Sequence, residues 1–265
     1  MPPGFSDSHR AHMKSQSNPD YYEFRHQTER DYAVASMRKY YDSKPEVVKF
    51  FEKLTAPFFR EKPDALVLDA CCGMGDLSYF LSESNPQLRF IGVDKASFLL
   101  AEGVRICAER PNVSFCEADV LQLSRNFLPQ TFDFAVCKQT LSWLPSYQEA
   151  VSELMAVTKG SIFASSLFYD GKIDYNIRVR EYETEVGRHD YNAHYNIYSF
   201  PVFREFCMSR GAKEVVAFDF DIEIDLPPPD NPDRMGTYTV RLDTGRRLQL
   251  SGALLMPWKI VRIDL

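Results

Sequence analysis

The stretch "VLDACCGMGDLS" at residues 67–78 gathers the residue types most able to do chemistry: a carboxylate, two adjacent thiols and two turn-forming glycines. An apolar run leads into it and a helix-like run leaves it, so it reads as a strand, a tight turn and a helix N-terminus. Such a turn can cradle a phosphate, do thiol redox work, or hold another ligand against exposed backbone N–H groups. Glycine at 73 and 75 lets the backbone turn sharply and approach that ligand closely. Redox work is disfavoured, because adjacent thiols are poor disulfide partners and Cys71 and Cys72 lack both C-x-x-C spacing and an activating base. They read as small side chains that permit the turn.

The dinucleotide pattern G-x-G-x-x-G is only partly met, since Ser78 stands where its third glycine belongs. Asp69 sharpens the choice. A carboxylate at that strand end repels a pyrophosphate and attracts an ammonium or sulfonium. Asp94 ends the next apolar run, 19 residues after Gly75, where a carboxylate accepts both hydroxyls of a ribose. Asp119 ends a third run in "EADV" and is placed to accept from an adenine amino group. Acidic residues at three successive strand ends describe a site for a ribose- and adenine-bearing, partly cationic ligand. S-adenosylmethionine fits that description better than a nicotinamide dinucleotide, which leaves an oxidoreductase as the weaker reading.

The elements that must position these residues alternate. Short apolar runs at 65–70, 89–95, 113–119, 132–140 and 160–168 read as buried strands, and helix-like segments separate most of them. That pattern predicts a parallel sheet covered on both faces. Ahead of it, "PEVVKFFEKLTAPFF" reads as an amphipathic helix with Pro45 in its first turn. After Phe168 come a polar-aromatic segment, the helix "FPVFREFCMSRG" ended by Gly211, and the strand "AKEVVAFDFDIEIDL". A hairpin near 236–252 and a last strand, "PWKIVRIDL", close the chain.

With these motifs in view, the chain resembles the class I S-adenosylmethionine-dependent methyltransferases of small-molecule type. The resemblance rests on "VLDACCGMGDLS", "IGVDKA", "FCEADV" and "FDFAVCKQTLSWL", and covers residues 45–168 best. Cys71 takes the place of the first glycine of the family's first motif. The resemblance implies an α/β, Rossmann-like fold: a seven-stranded, mostly parallel sheet with helices on both faces and an antiparallel strand near the C-terminus. An N-terminal helical cap (19–60) precedes the methyltransferase domain (61–265), a lid insertion spans 169–198, and residues 1–18 are expected to lack order.

It further implies S-adenosyl-L-methionine as cofactor and S-adenosyl-L-homocysteine as product. Asp69, Cys71, Gly73 and Gly75 then lie along the methionine portion and ribose, Asp94 holds the ribose hydroxyls, and Lys95 counts among the cofactor-binding residues. Ala118, Asp119 and Val120 surround the adenine, while Lys138 and Gln139 border the methyl end. Tyr32, Arg38 or Tyr41 would cover the methionine carboxylate. The acceptor pocket is expected to draw on Trp143, Tyr169, Tyr191, Tyr195 and Tyr198.

His189 and His194 are candidates for a general base, because imidazole titrates near neutrality. Their spacing fits no metal site, and no metal is expected. The Asn/Asp-Pro-Pro-aromatic signature of base-directed amino methylation is absent after the fourth strand, which reads "KQTLSW". An acidic residue at that place, which aminopropyl transfer uses to deprotonate an amine, is absent too.

A net charge of −6 argues against a general binder of the nucleic-acid backbone. Together with the lid this points to a small-molecule acceptor, such as a sugar or secondary metabolite, methylated on O or N. The alternatives are a non-catalytic cofactor-binding subunit of a complex, or a methyltransferase acting on a protein or RNA. Six cysteines without a disulfide framework, and the lack of an apolar run of about 18 residues, point to a cytoplasmic protein without a membrane segment. A monomer or homodimer is expected.

Overall fold

The computed structural model describes residues 30–179, 193–229 and 236–265, leaving out the side chain of Tyr32. The expectations for residues 1–18, His189 and Tyr191 fall outside that set. In chain order the first half comprises α1 (Arg30–Asp42), α2 (Glu46–Glu61), β1 (Leu66–Ala70), α3 (Asp76–Ser84), β2 (Arg89–Asp94), α4 (Ser97–Ile106), β3 (Val113–Glu117) and β4 (Phe132–Cys137). There follow α5 (Gln148–Val157), β5 (Thr158–Tyr169), the two-residue strands β6 (Arg178–Val179), β7 (Ala193–His194) and β8 (Tyr198–Ser199), α6 (Phe200–Ser209) and β9 (Glu214–Asp219). A three-stranded excursion, β10 (Thr237–Arg241), β11 (Arg247–Ser251) and β12 (Leu254–Leu255), precedes the final β13 (Trp258–Asp264).

The main sheet runs β3-β2-β1-β4-β5-β13-β9, with β8 pairing in parallel beside the end of β5. Strands β1 to β5 are parallel, and β13 enters antiparallel between β5 and β9. This is the expected α/β fold. The order turns back between β1 and β4, where a crevice opens at the strand ends and ligands bind in sheets of this kind.

Side-chain alternation sorts the core into two faces. Leu68, Ala70, Ala135 and Cys137 pack with α5 and α6. Val67, Phe134 and Val136 pack with Val48 and Phe51 of α2 and with Leu77 and Leu81 of α3. By the same period of two, Asp69 and Lys138 project on the α2/α3 face. Helix α1 lies across the turn after β1, where its Val34, Met37 and Tyr41 pack with Met74 and Leu99.

Several strands stop earlier than hydrophobicity suggests. The run 113–119 ends at Glu117, because the Asp119 side chain turns to cap the short 3-10 segment Val120–Arg125. The run 132–140 ends at Cys137, because Gln139 adopts φ +55°. "AKEVVAFDFDIEIDL" forms a ladder only over Glu214–Asp219. Pro45 sits one position before its helix, at the N-cap. Helix α6 ends as expected: Gly211 has φ +101°, and the Ala212 N–H closes on the Cys207 carbonyl.

One ring on β3 fixes how the layers meet. A Cβ on Gly75 or Gly92 would stand 2.6 or 2.8 Å from the Phe115 ring, and one on Gly103 of α4 would stand 2.6 Å from the Met74 carbonyl oxygen. Gly103→Ala must therefore push helix or loop aside. We expect it to destabilise the chain by about 1–3 kcal/mol, the range for overpacking, despite alanine's better helix propensity. Urea denaturation of the two proteins checks this.

Candidate active site

The site is built around the turn from β1 to α3. Cys71, Gly73 and Gly75 all have positive φ (56°, 58° and 84°), so the chain reverses through three left-handed residues. Glycine adopts this conformation at no steric cost, whereas a cysteine does so under strain. Gln139, at the end of β4, is also left-handed, so two of the three strained non-glycine residues among the described ones flank the crevice. The Gln139 N–H donates to the buried Ser165 hydroxyl at 2.8 Å, which holds that turn in place.

Asp69 is 1% exposed. Its Oδ2 accepts from the Ser78 backbone N–H (3.1 Å) and hydroxyl (2.7 Å), tying β1 to α3. Its Oδ1 is buried with no hydrogen-bond partner. Burial is the main cause that lifts this carboxyl to about 7, with a further push from Asp76; Ser78 and Lys138 act against the shift. Asp76, at the first position of α3, forms a buried ion pair with Lys138, and the Tyr40 ring lies 5.2 Å from the Lys138 ammonium. The cluster thus holds two carboxyls and one ammonium.

Asp94 is pre-arranged by the backbone. Its Oδ2 accepts from Gly73 N–H and its Oδ1 from Ala96 N–H, both at 2.9 Å. Burial raises this carboxyl above its usual range, and those N–H groups hold it down in part. The exposed Lys95 follows it. Asp119 accepts from Leu121 N–H at 2.9 Å, with Ala118 and Val120 buried on either side.

The neighbouring Cys137 thiol and burial push Cys71 well above the ordinary thiol range, and burial does the same to Cys72. Arg38 donates to Glu102 of α4 at 2.8 Å, and the Tyr41 hydroxyl donates to the Met74 carbonyl at 2.7 Å. These bonds strap α1 over the loop.

Tyr195 and Tyr198 are buried. The Tyr198 hydroxyl donates to the Leu141 carbonyl (2.8 Å), and the Tyr195 ring packs on Trp143 with centroids 4.6 Å apart. Burial lifts the Tyr198 phenol to about 12. Both tyrosines brace the turn after β4. Asn196 joins them, donating through its side-chain amide to Leu144 O and through its backbone N–H to Ser142 O. Tyr169 is exposed and meets Tyr175 edge-to-face. His194 stands half-buried on β7, opposite Arg178.

Sequence reasoning passes over Asp76, Ser165 and Asn196, and sees Ser78 only as a missing glycine. Asp76 follows the second turn glycine directly, and strand alternation places Lys138 on its face, so that pair was within reach. Nothing local in sequence links Ser165 to Gln139.

Residues 67–161 match the family model described as a methyltransferase domain. Trans-aconitate 2-methyltransferase of Deinococcus radiodurans is 30% identical over 94 residues, covering 36% of this chain and 34% of that protein. Demethylmenaquinone methyltransferase of Shouchella clausii is 33% identical over 95 residues, covering 35% of this chain and 40% of that protein. The chain thus spans a little over a third of the length of these curated relatives. The fold is also that of the CurJ carbon methyltransferase, with TM-score 0.53 at 12% identity, over 82% of this chain and 53% of that one.

The turn from β1 to α3 carries its charge at a cost that pH exposes. Asp69 has its folded value near 7, against about 3.9 in an unfolded chain. Between these values the folded state holds the extra proton, so this group's contribution is full below about pH 4 and is lost as pH rises through 7. Relative to D69N, the wild-type chain should lose stability from pH 4 to pH 7 and then level off. Denaturant midpoints of both proteins across that range test it.

Proposed function

We propose that the chain transfers a methyl group from S-adenosyl-L-methionine to an oxygen or nitrogen of a small molecule. The observation that carries this reading is the buried Asp69 Oδ1, an acceptor without a donor, at the start of a glycine turn whose carboxyls outnumber its ammonium. A cationic nucleoside supplies what that cluster lacks. Asp94 supports the same reading, since backbone N–H groups hold both its oxygens in place at the end of β2, where a ribose would lie. Ala118 and Val120 offer apolar surface for an adenine beside Asp119. The residues present fit the cofactor.

The cofactor, when bound, supplies an electrophilic methyl on a sulfonium. The chain's own part is to bind, orient and dry the site. The β1–α3 turn and Asp94 fix the nucleoside, while Lys138 and the strained Gln139 turn form the crevice wall at the end of β4. Holding an acceptor in line with the methyl supplies much of the rate. The half-buried aromatic residues Tyr41 and Trp143 suit a reaction that disperses charge, because they exclude water. His194 is assigned as the group that removes a proton when the acceptor arrives protonated.

A small-molecule acceptor accords with the curated relatives, named for trans-aconitate and demethylmenaquinone. It also accords with the segment after β5, which folds back against the turn after β4 through Asn196 and Tyr198.

Asp94→Ala should weaken S-adenosylhomocysteine binding by about 1–3 kcal/mol, the range for losing hydrogen bonds to a charged group. Calorimetry checks it. An unchanged dissociation constant would remove Asp94 from the ribose site, and tighter binding of NADH than of S-adenosylhomocysteine by the wild-type chain would replace the reading altogether.

A further inference from the structure

Cys71 carries a strain that a glycine there would not. Its φ of +56° is left-handed, a conformation that L side chains hold only where their surroundings impose it. The consequence is a change of face. Successive strand residues alternate, so a continued β1 would send Cys71 away from the side that Ala70 faces. The left-handed turn brings it back, and Cys71 packs half-buried against the cluster that holds Ala70 and Cys137. Cys137 ends β4 directly opposite Ala70 in the parallel register, one residue short of Cys71. The Cys71 thiol has the Cys137 thiol and the Thr140 hydroxyl as hydrogen-bond neighbours. Cys72 turns elsewhere: its sulfur lies beside Gly92 of β2, 2.9 Å from where a Cβ on that glycine would stand.

Two thiols in contact across adjacent strands are placed for a bond that the spacing of the sequence hides. Neighbouring strands lie about 4.8 Å apart, inside the Cα separation of about 4.4–6.8 Å that a disulfide spans. Exposure differs between the two. Cys71 is half-buried at the crevice, whereas Cys137 is 0% exposed, so an oxidant meets Cys71 first. We propose that Cys71 and Cys137 form an oxidation site: a peroxide converts Cys71 to a sulfenic acid, and Cys137 closes it to a disulfide that shuts the cofactor crevice.

In the first step the Cys71 sulfur attacks one peroxide oxygen, the O–O bond breaks, and the departing hydroxide takes the thiol proton as water. The Cys137 sulfur then displaces hydroxide from the Cys71 sulfur, and its own proton completes a second water. Two thiols lose two electrons and two protons, and one hydrogen peroxide becomes two waters. Cys137 and burial hold the proton on Cys71, so thiolate is scarce and the first step is slow. The second is fast, because the resolving thiol is already in contact. The new bond draws Cys71 against the end of β4 and pulls on the turn whose Gly73 N–H holds Asp94. Closure of the crevice rests on the cofactor reading above; the bond itself does not.

The test treats the wild-type chain with hydrogen peroxide, blocks the remaining thiols with iodoacetamide and maps linked peptides by mass spectrometry. Calorimetric titration with S-adenosylhomocysteine is run before oxidation, after it, and after dithiothreitol. The expected result is a peptide pair joined through Cys71 and Cys137. Affinity should fall about tenfold or more, an ordinary coupling between two sites, and return with dithiothreitol. Cys71→Gly and Cys137→Ala should each lose that response, with the same affinity before and after peroxide. Bound S-adenosylhomocysteine should slow the cross-linking, because the coupling is reciprocal.

Peroxide that leaves Cys71 and Cys137 unlinked, or links either to another cysteine, would overturn the proposal. The mapping uses the wild-type chain, so it decides this whether or not the variants fold. A bond between Cys71 and Cys137 with unchanged affinity would overturn the closure. If the reduced wild-type chain does not bind S-adenosylhomocysteine, the cofactor reading and the closure fall together, while the mapped bond still decides the oxidation site.

Discussion

The bond between the Asp69 carboxylate and Ser78 is the constraint around which the site is arranged. It ties the end of β1 to the second residue beyond the start of α3, and in doing so sets the span of the glycine turn between them. Only one carboxylate oxygen is used. The other is buried without a partner, a state that costs of order 1–3 kcal/mol and is kept only where something else needs it. The free chain meets part of that cost by holding a proton near neutral pH. A bound cation meets it better, so the same geometry that burdens the free protein favours the liganded one.

A second constraint is steric. The Phe115 ring fills space left by Gly75 and Gly92 and reaches Gly103, so turn, strand and helix approach one another over missing side chains. Where a dinucleotide fold uses a third glycine to let helix and strand pack closely, this chain has Ser78 in the first turn of α3 and Gly103 on the next helix. The serine is then available to bond Asp69. Packing and electrostatics are coupled through this exchange: the residue that breaks the dinucleotide pattern anchors the carboxylate that suits a sulfonium nucleoside.

Much of the fold was legible because apolar runs bounded by turn residues are read reliably when both faces are buried. The five parallel strands, α6 with its Gly211 ending and the antiparallel β13 follow from such runs. Strand ends were less legible. Asp119 and Gln139 leave their strands for reasons of capping and backbone strain that hydrophobicity does not register. At the site, the three strand-end carboxylates were visible as residues, but their present partners were not. Asp94 bonds Gly73 across the turn, and Asp119 caps a 3-10 segment. Tyr195 and Tyr198 looked like pocket residues from composition alone. Their burial, the Tyr198 bond to the Leu141 carbonyl and the Tyr195 packing on Trp143 depend on how the segment after β5 folds back.

The account turns on Asp69 receiving a cation. The most direct measurement is the affinity of the wild-type chain for S-adenosylhomocysteine between pH 6 and pH 8, by calorimetry in buffers of different ionisation enthalpy. The ammonium of the ligand stays charged across that range while Asp69 titrates near 7. The account predicts tighter binding as pH rises, with a proton released from the protein on binding at pH 6, and loss of both effects in D69N. Binding that is independent of pH and releases no proton would contradict it.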